Sequence, residues 1–127
     1  MDTPRPTDLI LHRASRVLEV AFDDGSRFRL PAEYLRVNSP SAEVQGHGPG
    51  QRVLLGGKRE VAINGIQPMG NYAVLLNFSD GHASGIYSWT KLHALGREQQ
   101  RNWDEYLAAL EAAGLSRDSP GQTTRAG

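Results

Sequence analysis

Apolar and polar residues alternate with a period of two from Val17 to Phe22, with Leu18, Val20 and Phe22 on one side and Val17, Glu19 and Ala21 on the other. Asp23-Asp24-Gly25-Ser26 then supplies turn chemistry. Beyond it Phe28 and Leu30 continue the apolar face while Arg27 and Arg29 take the opposite one, so Leu9 to Leu30 predicts a β-hairpin. Pro31 ends it, and Ala32 to Val37 has the length for about one and a half helical turns carrying Tyr34 and Leu35. The segment from Ser39 to Lys58 has loop composition, with Pro40, Pro49 and repeated glycines, and holds at most a short strand around Val53 to Leu55.

The second half repeats the grammar of the first. Val61 to Met69, interrupted by Gly65, predicts extended chain with a bulge. Tyr72 to Phe78 predicts a central strand, with Tyr72, Val74, Leu76 and Phe78 on one face and Ala73 and Leu75 making the other apolar too. Ser79-Asp80-Gly81 turns the chain into His82 to Tyr87, Ser88 is placed to cap a helix through Leu95, and Gly96 to stop it. A last helix spans Glu98 to Ala113, with Trp103, Tyr106, Leu107 and Leu110 on one face and Gly114 as its stop. A shift of 56 residues lays Val20 on Leu76, Phe22 on Phe78, Asp24 on Asp80, Gly25 on Gly81 and Leu30 on Ile86. Duplication accounts for this echo, and so does independent use of a common strand, Asp-Gly turn and strand solution.

The predicted fold class is α+β: a small, mainly antiparallel sheet built from two β-hairpin-plus-helix units, with a C-terminal amphipathic helix packed on it. Residues 1–8 read as a flexible N-terminus, 9–114 as one domain, and 115–127 as a disordered tail with too little apolar surface to offset the entropy of ordering it.

Composition narrows the function classes. Lys plus Arg and Asp plus Glu both number 14 in 127 residues, a balance that argues against electrostatic capture of nucleic acid or an anionic membrane. Absence of cysteine removes disulfides, zinc ribbons, thiolate-held clusters and cysteine nucleophiles together. No apolar run approaches the ~20 residues of a membrane span, and a cytoplasmic location is expected.

Candidate chemistry is sparse. None of His12, His47, His82 and His93 has a carboxylate two residues on, the usual start of an iron-oxygenase triad. Gly56-Gly57-Lys58 fails as a phosphate loop because Arg59 and Arg52 stand at two of its defining positions. Arg52, Lys58 and Arg59 read either as a small anion patch or as a solvated basic loop. Asp24 and Asp80 read as turn residues, with a carboxylate pair as the competing reading. Trp89 and Trp103 read as core anchors, and the pattern leaves the direction of the Tyr34 and Tyr87 hydroxyls open.

Three segments carry a family resemblance: Gly70-Asn71-Tyr72-Ala73-Val74, Phe78-Ser79-Asp80-Gly81-His82, and Ser84-Gly85-Ile86-Tyr87-Ser88-Trp89. With Leu35-Arg36-Val37-Asn38-Ser39-Pro40-Ser41-Ala42-Glu43-Val44, the chain resembles the gamma-butyrobetaine hydroxylase-like N-terminal domain family over roughly Leu9 to Leu110. The resemblance implies a stand-alone bacterial domain of unassigned role, lacking the oxygenase domain of the hydroxylases. It also implies a zinc position: Ser39, Ser41 and Val44 match three cysteine ligands, and His82 matches the fourth ligand. With one imidazole left, no metal is expected to bind; Ser39 and Ser41 should act as caps or turn formers, Val44 should pack, and His82 should hydrogen-bond beside them. The weaker alternative joins His47 to His82 and a carboxylate.

The leading functional expectation is a non-catalytic accessory or protein-interaction domain, with no cofactor and with a protein partner or a second copy as its target. An oxidoreductase label would come by family transfer only. The alternative is a small metal- or anion-binding protein that uses His47, His82 and the basic loop. Family fusions link the domain by analogy to iron–sulfur carriers or an oxygenase.

Overall fold

Two Asp-Gly turns set the architecture. In the computed structural model, which describes residues 4–45, 53–118 and 121–124, the elements in chain order are β1 (Pro6–His12), β2 (Val17–Phe22), β3 (Arg27–Pro31), α1 (Ala32–Val37), α2 (Ala42–Gln45) and β4 (Val53–Gly56). They continue with β5 (Ile63–Met69), β6 (Ala73–Phe78), β7 (Gly85–Ser88), α3 (Trp89–Arg97), α4 (Gln99–Ala113) and β8 (Gly121–Thr124). The class is α+β, as the residue pattern predicts, and all strand pairing is antiparallel. The strands divide over two separate three-stranded sheets, β1-β2-β3 and β5-β6-β7, and a β4-β8 ladder. Each hairpin foreseen in the sequence is thus a three-stranded meander followed by a helix.

The 56-residue echo has a structural counterpart in the turns. In the first, Phe22 N–H donates to Ser26 O at 2.9 Å and Gly25 N–H to Phe22 O at 3.1 Å; in the second, Phe78 N–H donates to His82 O at 2.9 Å and Gly81 N–H to Phe78 O at 3.1 Å. Gly25 and Gly81 sit at φ +89° and +92°, where a side chain is strained, and the preceding aspartates accept the backbone N–H two residues on. Asp24 and Asp80 therefore serve separate turns rather than one carboxylate pair.

The two meanders enclose one core with α1 and α3, containing Leu18, Val20, Phe22, Leu35, Val74, Leu76, Phe78 and Leu92. The tyrosine hydroxyls left open by the sequence both turn inward across the halves. Tyr34 on α1 donates to Leu95 O at 2.6 Å, and Tyr87 on β7 donates to Leu35 O at 2.5 Å. A smaller cluster, Val37, Val44, Leu55, Tyr106 and Leu110, seats α4 against α1, α2 and β4. Trp89 and Trp103 are partly buried against the main core. Leu107, expected on the packed face of α4, and Tyr72, expected on that of the central strand, are both exposed. The register of β5 and β6 shifts between Ile63 and Gly65, the irregularity that Gly65 predicts.

Three boundaries differ from the sequence reading. The flexible N-terminus gives way to strand from Pro6, fastened by Arg5 N–H to Asp23 Oδ1 at 3.1 Å and Asp23 N–H to Arg5 O at 2.8 Å. The described part of the tail is bonded to the fold rather than disordered: Gly57 N–H donates to Ser116 O, Arg59 N–H to Arg117 O, and β8 pairs with β4. These contacts are backbone and polar, so apolar content does not register them. Ser88 caps α3 by accepting from Lys91 N–H, but the helix runs past Gly96 to Arg97.

Gly96 is there for space, since a Cβ would run into the Phe28 ring. We predict that Gly96→Ala destabilises the protein by about 1–3 kcal/mol through overpacking, although alanine is intrinsically better in a helix by about 1 kcal/mol. Chemical denaturation checks the sign, and a more stable variant would show that Phe28 gives way freely.

Candidate functional site

The polar side chains converge where α1 ends and the β6–β7 turn meets it. At the end of α1, Asn38 donates its side-chain N–H to Tyr34 O at 2.9 Å, releasing the chain into Ser39-Pro40-Ser41. Ser39 Oγ accepts from Ser41 N–H at 3.2 Å, a local turn bond, and Ser41 O accepts from the Val44 and Gln45 N–H groups to open α2. Ser39 is fully buried and its Oγ lies 2.9 Å from His82 Nε2, with which it shares a hydrogen bond. Beside it, Ser41 Oγ and Ser84 Oγ are 2.8 Å apart. Gly85 makes the approach feasible, because a Cβ there would stand 2.6 Å from Ser39 Oγ. Val44 is buried in the smaller cluster with Val37 and Leu55.

Next to this group lies an ionic one. Asp80 Oδ2 accepts from Arg36 Nε at 2.8 Å and from Lys58 Nζ at 2.7 Å. Burial pushes the Asp80 carboxyl up, but hydrogen bonds from Lys58, the His82 backbone N–H and Arg36 outweigh it and hold it down at about 2. Arg36 is 8% exposed and its Nη1 is sealed from solvent without a hydrogen-bond partner. The first turn has a matching pair. His93 on α3 reaches Asp24 Oδ2 at 2.8 Å, its ring edge-on to Phe22 and Phe28, and hydrogen bonds from Ser26 and His93 hold Asp24 at about 2. Each helix thus sends a cationic or titratable side chain to the turn of the other half.

The structure brings Ser39, Ser41 and His82 into one cluster and disperses the basic residues. Lys58 is committed to Asp80, Arg59 to Asp118, and Arg52 and His47 lie outside the described residues. Arg36, Ser84 and Gly85 belong to the cluster without having been singled out for it. The signals for them in the sequence are Arg36 in Leu35-Arg36-Val37-Asn38 and the acid of the Asp80-Gly81 turn, whose pairing spans 44 residues.

The family model for the gamma-butyrobetaine hydroxylase-like N-terminal domain matches residues 9–93. The chain belongs to this family. Two structures solved by NMR in solution are similar to it: one is 45% identical with a TM-score of 0.81, covering 92% of each chain. The other is 54% identical with a TM-score of 0.79, covering 91% of this chain and 86% of that one. A crystal structure of a DUF971-family protein of unknown function from Acidithiobacillus ferrooxidans ATCC 23270 is 38% identical with a TM-score of 0.59, covering 72% of this chain and 92% of that one. No curated protein matches.

The family resemblance assigns zinc to Ser39, Ser41, Val44 and His82, and the donors present there do not fit it. Two neutral hydroxyls, an isopropyl group and one imidazole engaged with Ser39 replace the thiolate-rich set that zinc favours. Among the described residues no three His, Asp or Glu side chains are grouped to hold a metal ion, and no helix is long and apolar enough to cross a membrane.

Proposed function

We propose that this domain is a non-catalytic accessory module that works by contact with a protein partner or with a second copy of itself. The observation that carries this reading is the outer face of the β5-β6-β7 sheet. There Leu75 and Ile86 stand opposite each other in register across β6 and β7, with Ile86 40% exposed and Leu75 half-buried. This pair faces outward rather than into the core, and apolar surface grouped on a sheet face is what a partner or a second copy can cover. The Ser39–His82 pair contributes rigidity in this reading, since its groups are buried and satisfy one another.

The test is Ile86→Glu, a change on an exposed position that leaves the core intact. Partner retention in affinity capture, or self-association in sedimentation, should fall by at least about tenfold, a loss of ~1.4 kcal/mol, with the thermal midpoint unchanged. Retention equal to that of the wild type would remove this face from the function.

A further inference from the structure

We infer that the cleft between α4, β4 and the end of α1 is a binding site for an aliphatic ammonium, the side chain of a lysine presented by a protein partner. This rests on the partner-contact reading and adds the chemistry of what is recognised at a second surface. The cleft has a volume of about 250 Å³ and is walled by Val37, Leu55 and Ala109. That is below the roughly 300–1,000 Å³ of pockets that enclose drug-sized ligands, and it suits one long side chain.

Apart from Asn38, which is bonded within the fold, three side chains on its lining have an acceptor to offer. Glu105 lies on the exposed side of α4 and makes neither a hydrogen bond nor an ion pair among the described residues. Asn102 donates one of its two side-chain N–H groups to Tyr34 Oη at 3.0 Å, and among the described residues its Oδ1 has no partner. Tyr106 donates its hydroxyl proton to Leu55 O at 2.5 Å, so towards a ligand its Oη can only accept. Burial, reinforced by Glu33, pushes that hydroxyl up to about 12, so it stays a neutral phenol. One negative charge and two neutral acceptors around an apolar floor complement a four-carbon stem ending in a compact cation with three N–H donors. The Glu105 carboxylate could also pair with a guanidinium, so an arginine probe is the discriminating control.

The experiment titrates the full chain, followed by amide NMR, with Nα-acetyl-lysine methylamide, its Nε-acetylated form, the norleucine analogue and the arginine analogue. The lysine probe should shift Val53, Leu55, Asn102, Glu105 and Ala109 saturably and bind at least about threefold tighter than the Nε-acetylated and norleucine probes. Glu105→Gln should erase that preference, and Ala109→Leu, which fills the cleft from a half-buried position, should abolish all binding. Equal affinity for the charged and neutral probes, tighter binding of the arginine probe, shifts elsewhere, or no saturation by ~100 mM would overturn the proposal. None of these outcomes depends on the Leu75–Ile86 face, so failure here and failure of the partner reading are read separately.

Discussion

Arg117→Ala is expected to lower the unfolding free energy by roughly 3 kcal/mol, more than any truncation of a surface residue should. Arg117 meets Glu33 through two parallel bonds, Nε to Oε2 at 2.8 Å and Nη2 to Oε1 at 2.6 Å. Glu33 is on α1 and only 6% exposed, so removal of the guanidinium strands a carboxylate away from water. The same guanidinium lies 5.1 Å over the Trp103 ring, a contact also lost. The pair itself is not the source of so large an effect, because burying both charges costs about as much as their attraction returns. The unpaired carboxylate is. The double variant Glu33→Gln with Arg117→Ala should therefore recover at least about half of the loss. Equilibrium denaturation of the single and double variants decides it: an Arg117→Ala variant within ~0.5 kcal/mol of wild type would mean that Glu33 finds water.

That ion pair also shows what could be read from the chain in advance. Period-two alternation located β2, β3 and β6, and capping chemistry located the start of α3 at Ser88 and the end of α4 at Gly114. Those signals are local: each depends on residues a few positions apart. The errors share the opposite property. Glu33 and Arg117 are 84 residues apart, and nothing near Arg117 announces that a buried acid awaits it. Leu107 obeys helical spacing yet is exposed, because the apolar stripe of α4 is narrower than the residue types suggest. Gly96 looks like a stop and is a spacer, since Phe28 comes from the other half of the chain.

The candidate cluster was legible in part for the same reason. Ser39 and His82 were placed together by resemblance, and the hydroxyl–imidazole bond between them is present. Their neighbours follow from the 56-residue regularity in the sequence. If two units repeat with a shift of about 56 residues, whatever the helix of one offers to the turn of the other should recur. It does recur at the turns, Arg36 to Asp80 and His93 to Asp24, while Tyr34 to Leu95 and Tyr87 to Leu35 tie the halves together outside the repeat. The halves are closed on each other by reciprocal polar contacts around a shared apolar core. The second turn differs from the first in having Ser39, Ser41 and Ser84 close by, where the first packs His93 against Phe22 and Phe28. That asymmetry is what makes the second turn the distinctive one.

Asp80→Asn probes that turn with a pH signature. Asparagine keeps a side-chain oxygen for the His82 N–H but withdraws the negative charge shared by Arg36 and Lys58. Arg36, already carrying one unpartnered nitrogen, is left buried without a counter-charge, and roughly 2–3 kcal/mol of stability should go at neutral pH. The sign of the pH dependence follows from linkage. The Asp80 carboxyl titrates at about 2 in the folded protein and near its ordinary value of 3.8 in the unfolded chain. Between those values the unfolded chain binds more protons, so stability rises with pH there. The contribution of Asp80 is complete above about pH 4 and disappears as the pH falls through about 2. Asp24, held low in the same way, adds to the acid slope of both proteins and cancels from their difference. Urea denaturation from pH 7 down to about pH 2 should therefore show the wild type and Asp80→Asn converging as acid is added. A gap that stays constant over that range would assign the loss to shape, and the charge on the second turn would have no part in holding the halves together.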